Sequence, residues 1–304
     1  MQDNARRPLA MAALLLGGLL WGTAWMPLKY FAGHGMTGLS VTVLTYGFAG
    51  ALALPWLWRR RQAWRTHRAL LASMGLLGGL ANACFASAMM FGEVSRAMLL
   101  FYLVPVWGVL GGRLFFREAV SPPRAIAVAL ALTGAVLVLG GPALLLQSPH
   151  PIDLAALAAG FFYTAQNLCA RAASGAAVPD KTGLSFIGCA ITAAAMMTLA
   201  GQHLPAPGPA MLAALAGFTA VWLVVGVWTQ LYGATHLEAG TMGVLVIFEL
   251  LTAVVSAMVV GGERLDGAGW TGAALIVAAA LIEARAGSRP PSNTPSHALT
   301  PESP

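Results

Sequence analysis

Ten apolar segments follow one another along the 304-residue chain, and this repetition constrains the fold more than any other feature. Each segment is close to the roughly 20 residues that an α-helix needs to cross the hydrocarbon core of a bilayer. We therefore predict an all-α integral membrane protein with ten transmembrane helices. In chain order, segments one to ten are Leu9–Leu28, Thr37–Leu57, Ala69–Phe91, Ala97–Phe116, Ala125–Gly141, Ile152–Ala170, Thr182–Gly201, Pro209–Leu231, Gly240–Val260 and Ala268–Ile282.

The composition excludes an ordinary soluble domain. The chain is 58% apolar and 9% charged, with a mean hydropathy of +0.74, whereas soluble domains carry about 25% charged residues. Cys84, Cys169 and Cys189 lie within apolar segments without disulfide or zinc spacing, which indicates small packing residues. The sequence contains no HExxH, GxSxG or P-loop motif. We expect no enzyme activity, no cofactor and no metal site.

The distribution of basic residues predicts the orientation. With the N-terminus inside, 14 of the 17 Lys and Arg residues fall on the cytoplasmic side, Arg124, Arg171 and Lys181 among them. The three outside are Lys29, Arg96 and Arg264. The positive-inside rule then places both termini in the cytoplasm. The basic residues are expected beside anionic headgroups of the plasma (inner) membrane, so the net charge of +6 does not indicate a nucleic-acid partner.

The two halves of the sequence resemble each other. A shift of 145 residues places TGLSV at 37–41 on TGLSF at 182–186, and it also places Glu118 on Glu263. A shift of 141 residues places WGTAW at 21–25 over FYTAQ at 162–166. Segments one to five therefore correspond to segments six to ten.

This duplication predicts the domain organisation. We assign residues 1–145 to the first five-helix repeat, 146–286 to the second, and 287–304 to a disordered cytoplasmic tail rich in Pro, Ser and Thr. Five is an odd number, so the second repeat enters the membrane with the opposite polarity. Inverted repeats of this kind place a substrate site near the midplane, where the halves meet.

The chain resembles the EamA-type ten-helix transporters of the drug/metabolite transporter superfamily. The resemblance rests on WGTAW at 21–25 and on two copies of an end-of-repeat pattern, at 101–118 and 246–265. Family members often have Glu-Pro at the position of Glu249 and the residue after it. Here the proline is missing from the second copy, and Pro105 occupies the matching place in the first. The resemblance implies movement of small organic solutes, often outward, and amino-acid exporters are among its members.

Glu249 is the strongest candidate for function. It lies in the middle of the apolar stretch Thr241–Val260, where insertion of an ionisable group costs about 2.5–3.5 kcal/mol. A low-dielectric setting also disfavours the ionised carboxylate. Ionised, Glu249 could hold the ammonium of an amino-acid-like or cationic substrate. Protonated, it could exchange a proton for solute, and a structural hydrogen bond to a neighbouring helix is the third interpretation.

Other polar and aromatic residues in segments one, three, four, six and eight are candidates for a central cavity. Tyr163, Gln166 and Asn167 have i, i+3, i+4 spacing and are predicted to share a helix face; interhelical hydrogen bonding is the alternative. We also predict a kink at Pro105. The predicted substrate-binding residues are Trp21, Trp25, Asn82, Tyr102, Tyr163, Gln166, Asn167, Gln230 and Glu249.

Two further patterns predict packing or interface roles. Glu118 and Glu263 follow segments four and nine, and we expect them to cap the interface or to pair with Arg117 and Arg264. Close helix packing is expected at three pairs with GxxxG spacing. These pairs are Gly18/Gly22, Gly75/Gly79 and Gly108/Gly112.

The sequence as a whole predicts a secondary active transporter of small organic solutes. We expect an exporter of amino acids or related metabolites that works by alternating access. An importer or exchanger of metabolites or drugs is the alternative within transport. A non-transporting membrane receptor or scaffold and an intramembrane enzyme are the alternatives of other classes. The expected partners are a small organic solute and the lipid bilayer, with protons as a candidate coupling ion and the oligomeric state left open.

Overall fold

The computed structural model describes residues 2–91, 94–141, 150–261 and 266–286. Within these ranges the chain is helical and contains no β-strand. Several predicted features lie outside the described residues. They are the repeat boundary at 145–146, the tail 287–304, Glu263, Arg264 and the side chain of Arg96.

The helices have the length and hydropathy of a membrane protein. Among the described residues, seven helices are long and apolar enough to cross a bilayer. Pro122–Val138 and Gly267–Glu283 are apolar but shorter. Large apolar side chains cover the outer surface, including Leu114 and Leu199, which are 74% and 87% exposed. Such a surface requires an apolar surrounding, and the predicted class of an all-α membrane protein is confirmed.

The described residues form fifteen α-helices and one π-helical turn, Thr219–Val224. The α-helices are α1 (Gln2–Thr23), α2 (Trp25–Gly33), α3 (Gly38–Arg59), α4 (Arg61–Arg65), α5 (Arg68–Phe91), α6 (Val94–Phe101), α7 (Val104–Phe116), α8 (Pro122–Val138), α9 (Asp153–Ala172), α10 (Val178–Leu199), α11 (Pro209–Phe218), α12 (Val225–His236), α13 (Ala239–Val246), α14 (Phe248–Gly261) and α15 (Gly267–Ala286).

The corresponding Thr residues of the two repeats begin their helices differently. Thr37 is the N-cap of α3: its hydroxyl accepts the amide of Ser40 at 3.2 Å, and its own amide donates to the Ser40 hydroxyl at 2.9 Å. This reciprocal pair is a capping box. Thr182 was predicted to begin segment seven, but α10 begins four residues earlier, at Val178, with proline at its second position. Proline there loses no helical hydrogen bond.

Segments one and eight are less regular than predicted. Segment one is broken at Ala24, between α1 and α2, and segment eight contains the π-helical turn. The two irregular regions are in contact, because Trp222 Nε1 donates to Thr23 Oγ1 at 3.2 Å. Single π-turns inside α-helices are frequent at functional sites.

The helices pack mainly across the boundary between the two halves. α1 packs on α12 and α14, α9 on α5, α10 on α3, and α15 on α8. Glycines permit this close approach: a Cβ on Gly75 would lie 3.0 Å from Gly188 Cα, and one on Gly134 would lie 2.6 Å from the Gly272 oxygen. The halves therefore share one core instead of forming two separate bundles.

Candidate functional site

Segments four and nine are interrupted at corresponding positions of the repeat. α6 ends at Phe101 and α7 begins at Val104, while α13 ends at Val246 and α14 begins at Phe248. The 145-residue shift places the end of α6 on the end of α13. Discontinuous helices that meet between repeats form the substrate sites of many transporters.

The two interruptions have different local causes. Pro105 is the second residue of α7, where its missing N–H breaks no helical bond but prevents continuation from α6. The predicted kink is therefore a complete break, which begins before the proline. Segment nine has no proline at the corresponding place. There the Leu250 amide donates to the Ile247 oxygen at 3.0 Å, a tighter turn between α13 and α14.

Tyr102 and Glu249 meet where these interruptions face each other. Tyr102 lies between α6 and α7, and its hydroxyl donates to Glu249 Oε1 at 2.9 Å. Glu249 lies in the first turn of α14, where the helix dipole favours a negative charge. Among the described residues, Glu249 forms no ion pair. The carboxyl thus joins the two halves through an uncharged partner.

A polar chain continues from this contact into segments six and eight. Tyr163 lies within electrostatic range of Glu249 and in hydrogen-bonding reach of Asn167. The Gln230 amide donates to Asn167 Oδ1 at 3.5 Å, the outer limit of a hydrogen bond. The Phe101 ring lies edge-on to Tyr163, with centroids 5.6 Å apart. Five of the nine predicted residues, from both halves, are therefore close together.

A narrow cavity runs from this cluster toward one end of the bundle. Its volume is ≈ 10 Å³, about the space that one water molecule needs. Its lining includes Tyr163 and Asn167 at the cluster, and Arg171 farther along α9. A small organic solute does not fit in this volume.

Helix α1 supports the backbone that carries Glu249. A Cβ on Gly22 would lie 2.6 Å from the Glu249 oxygen and 2.6 Å from Thr252 Cβ. A Cβ on Gly18 would lie 3.5 Å from the Glu249 amide nitrogen. The pair that was predicted to permit close packing does so directly beside the candidate site.

Comparison with known sequence families places the chain in one of them. The profile of the EamA-like transporter family matches residues 8–140 and, a second time, residues 150–283. The chain belongs to the EamA-like transporter family. A solved structure, described only as the crystal structure of a protein, is 22% identical, with a TM-score of 0.72 over 91% of this chain and 99% of that chain. That similarity supports the fold alone. No curated protein matches the sequence.

In this EamA-like fold, Gln166 and Asn82 point away from the cluster. The Gln166 amide donates to Ser185 Oγ at 3.1 Å and packs on Gly78. The face predicted for Tyr163, Gln166 and Asn167 is therefore divided, with Gln166 directed at segments three and seven. Asn82 donates to the Gly78 oxygen of its own helix at 2.9 Å. These contacts match the alternative of hydrogen bonding within and between helices.

Trp25 contacts α14 about two turns beyond Glu249, and Trp21 lies against Gly226 of α12. Trp25 Nε1 donates to Ser256 Oγ at 2.8 Å, and Lys29 Nζ lies 4.9 Å from the centre of the Trp25 ring. Trp21 Nε1 is buried without a hydrogen-bond partner, and a Cβ on Gly226 would lie 2.9 Å from it. A buried indole N–H without a partner is unusual in a packed core.

The sequence analysis missed a second polar centre of this EamA-like protein, around Arg124. Arg124 was expected beside lipid headgroups, but it is only 8% exposed. Its Nε donates to Glu283 Oε1 at 3.2 Å, and its Nη2 pairs with Glu238. Thr241 Oγ1 also donates to Glu283 Oε1, at 2.6 Å. The signal available in the sequence was Glu283, directly after the predicted end of segment ten at Ile282.

Glu118 belongs to the same centre. It was expected to cap the interface or to pair with Arg117, but it forms an ion pair with Arg171 and lies 3.8 Å from Arg124 Nη1. Arg117 ends α7 in the left-handed conformation, with φ at 55°. The expected pairing was wrong, since a turn at Arg117 redirects the chain.

Glu238 and Lys181 also differ from a simple interfacial role. Burial opposes ionisation of Glu238, but the hydrogen bond and charge of Arg124 outweigh it, so the pKa of Glu238 lies below its usual range. Lys181 was expected at the headgroups, but it is fully buried. Its Nζ donates to the Ala170 oxygen at 2.6 Å and to Thr235 Oγ1 at 2.9 Å. It therefore ties α9, α10 and α12 together.

Proposed function

We propose that this EamA-like protein is a secondary active transporter that exports amino acids or related small organic metabolites across the plasma (inner) membrane. The observation that carries the proposal is the Tyr102–Glu249 contact between two interrupted helices, one from each half. A carboxyl group without a charged partner, placed where two repeats meet, is suited to bind and release a solute.

The proposed topology has ten crossings in two inverted repeats, 1–145 and 146–286, with both termini in the cytoplasm. The packing supports the relation between the repeats, because each contact that segment one makes with the second half has a counterpart that segment six makes with the first half. Segment one packs on eight as six packs on three, and segment one packs on nine as six packs on four. The distribution of basic residues supports the orientation. Cysteine labelling tests it, since a label reaching residue 62 from outside contradicts this topology.

The proposed substrate carries a cationic group, such as the ammonium of an amino acid. Ionised Glu249 provides the counter-charge, and Tyr163, Asn167 and Gln230 provide hydrogen-bonding groups beside it. The Phe101 ring adds an apolar wall. A growth-rescue and toxicity screen with amino acids, nucleobases and drugs, in cells that overproduce the protein, identifies the solute.

Transport proceeds by alternating access, in which the two halves rock about the Glu249 site. The narrow cavity of ≈ 10 Å³ must widen on one side at a time. Protonation of Glu249 releases the solute cation, so a proton gradient can drive export. Import or exchange remains the alternative direction, and flux measured both ways in liposomes distinguishes them.

Solute flux in proteoliposomes tests the function. We expect Glu249→Gln, which keeps the shape but cannot ionise, to lower flux by at least about tenfold. The matched control is Asp180→Asn, the same chemical change at a buried carboxylate that pairs with Arg60. Equal flux in Glu249→Gln and wild type contradicts the proposed role of Glu249. Solute binding by wild type without flux in either direction supports the receptor alternative.

A further inference from the structure

Three arginines and three glutamates meet at one end of the bundle, and their charges balance. Arg124 pairs with Glu238, Glu283 and Glu118, and Arg171 pairs with Glu118. Arg7 lies within electrostatic range of Glu238. We call this set of six residues the charge network. Its members lie in α1, α8, α9 and α15, and in the connections that follow α7 and α12.

The pairs of the charge network join the two halves of the protein. Arg124 is in the first half, and Glu238, Thr241 and Glu283 are in the second. Glu118 is in the first half, and Arg171 is in the second. A rocking motion of one half against the other would pull these partners apart at this end, whereas it would leave contacts within each half intact.

One member of the charge network, Arg171, also lines the narrow cavity that begins at Tyr163 and Asn167 of the Glu249 cluster. The narrow cavity is lined by Tyr163 and Asn167 at one end and by Arg171 at the other. Tyr163 and Arg171 are eight residues apart on α9, which is about 12 Å along a helix. Gly112 leaves the room that Glu118 occupies, because a Cβ there would lie 2.5 Å from Glu118 Oε2. The Arg171–Glu118 pair is thus the part of the network that borders the cavity.

Two members of the charge network are incompletely bonded, because Arg7 Nη2 and Glu283 Oε2 are both buried without a hydrogen-bond partner. Glu283 Oε1 accepts from Arg124 and Thr241, but Glu283 Oε2 is buried without a hydrogen-bond partner. A permanent structural ion pair satisfies its buried oxygens. An unsatisfied oxygen favours a contact that opens, because water entering the opened cleft can hydrate the separated charges.

We propose that the charge network is the closure of the solute pathway on the cytoplasmic side. Separation of Arg171 from Glu118, and of Arg124 from Glu238 and Glu283, opens the cavity to the cytoplasm, and their pairing seals it. This inference rests on the proposed function and orientation. It assigns to Arg124 and Arg171 a positioning role in the closed state, since neither contacts the Glu249 cluster.

Thiol labelling tests the closure without any solute. A reporter cysteine replaces Ala234, which lines the cavity, in a chain whose Cys84, Cys169 and Cys189 are changed to serine. A membrane-impermeant methanethiosulfonate is added from the cytoplasmic side of inside-out vesicles. We expect Glu118→Gln combined with Arg171→Gln to raise the labelling rate by at least about tenfold, because the open state becomes more populated.

The matched control removes another ion pair between the halves. Arg60→Gln with Asp180→Asn removes the ion pair that joins the end of α3 to α10, and neither residue lines the cavity. We expect its labelling rate to equal that of the parent. An unchanged rate in the Glu118/Arg171 variant overturns the closure, as does an equal increase in the control. Arg124→Gln with Glu283→Gln is the second variant, and its thermal unfolding is measured alongside labelling.

The outcome is separable from that of the proposed function. If the variant is labelled faster but the protein moves no tested solute, the proposed closure is supported and transport of that solute is contradicted. If labelling is unchanged but the protein transports solute, the proposed closure is contradicted and the proposed function is supported. If the Arg124/Glu283 variant does not fold, the Glu118/Arg171 variant alone tests the proposed closure. In that variant Arg124 retains its ion pairs with Glu238 and Glu283.

Discussion

The Glu249 cluster and the charge network are both polar contacts between the two halves, but they differ in how a carboxyl group is compensated. Glu249 has one uncharged hydrogen-bond donor, Tyr102, within the described residues. Glu283 and Glu238 instead share the guanidinium of Arg124. A carboxyl with an uncharged partner can exchange it for a solute or a proton, while mutually compensated charges hold a conformation. The difference separates a binding role from a closing role.

The largest expected stability effect is in the charge network. We expect Arg124→Gln to lower the free energy of unfolding by about 3–5 kcal/mol, because it leaves buried Glu283 without its cation. Unfolding in detergent measures this loss. The double variant with Glu283→Gln should recover part of it, since no buried charge is then left alone. If Arg124→Gln lowers the free energy of unfolding as little as Tyr102→Phe does, the distinction between the two regions is contradicted.

Helix packing at the Glu249 cluster gives the next largest effect. We expect Gly22→Ala to cost about 1–3 kcal/mol and to lower flux, because the new Cβ meets the Glu249 oxygen and Thr252 at 2.6 Å. Gly47→Ala is the control, since no atom lies within 4 Å of a Cβ there. Unfolding and flux are measured on both. Wild-type flux in a folded Gly22→Ala protein shows that this backbone need not be held in place.

Removal of the hydrogen bond to Glu249 has a smaller effect on stability. We expect Tyr102→Phe to change the free energy of unfolding by about 1 kcal/mol or less, because it removes a single hydrogen bond from an uncharged donor. Flux should fall by more than this change in stability accounts for. Unfolding and initial flux rates check both parts. If Tyr102→Phe shows wild-type flux, the Tyr102 hydroxyl has a structural role only.

The smallest effect is the pH dependence of the charge network. The pKa of Glu238 is lowered in the folded protein, so its stabilising contribution is complete above the unfolded value, about 4.3, and is lost as pH falls through the folded value. The Glu238 side chain is 41% exposed, which limits the contribution. The melting temperature should therefore fall less steeply below about pH 4.3 in Glu238→Gln than in wild type. If the melting temperatures of Glu238→Gln and wild type fall in parallel, the stabilising role of ionised Glu238 is contradicted.

Local sequence signals predicted those features that depend on one segment. Apolar length predicted the membrane helices, and Pro105 predicted the irregularity in segment four. The break at Ile247 was not predicted, because the sequence has no proline there. The helix before this break packs closely on segment four, since a Cβ on Gly243 would lie 2.7 Å from Pro105 Cα.

Contacts between distant residues were beyond sequence reasoning. Arg124 and Glu283 are 159 residues apart, and a basic residue at the end of an apolar segment has the same sequence signature whether it faces headgroups or a buried carboxylate. Gln166 and Asn167 are neighbours in sequence, but only Asn167 lines the cavity. Which of two adjacent polar residues faces the cavity depends on helix rotation, which is set by packing.

The pH dependence of solute exchange tests most directly whether Glu249 is the charged element of the site. Exchange is measured in proteoliposomes from about pH 5 to 8 for wild type, Glu249→Gln and Asp180→Asn. We expect wild type and Asp180→Asn to share one pH-dependent profile, and Glu249→Gln to be slow and insensitive to pH, because it cannot ionise. A Glu249→Gln protein that inserts normally and exchanges solute at the wild-type rate with the wild-type pH profile contradicts the account.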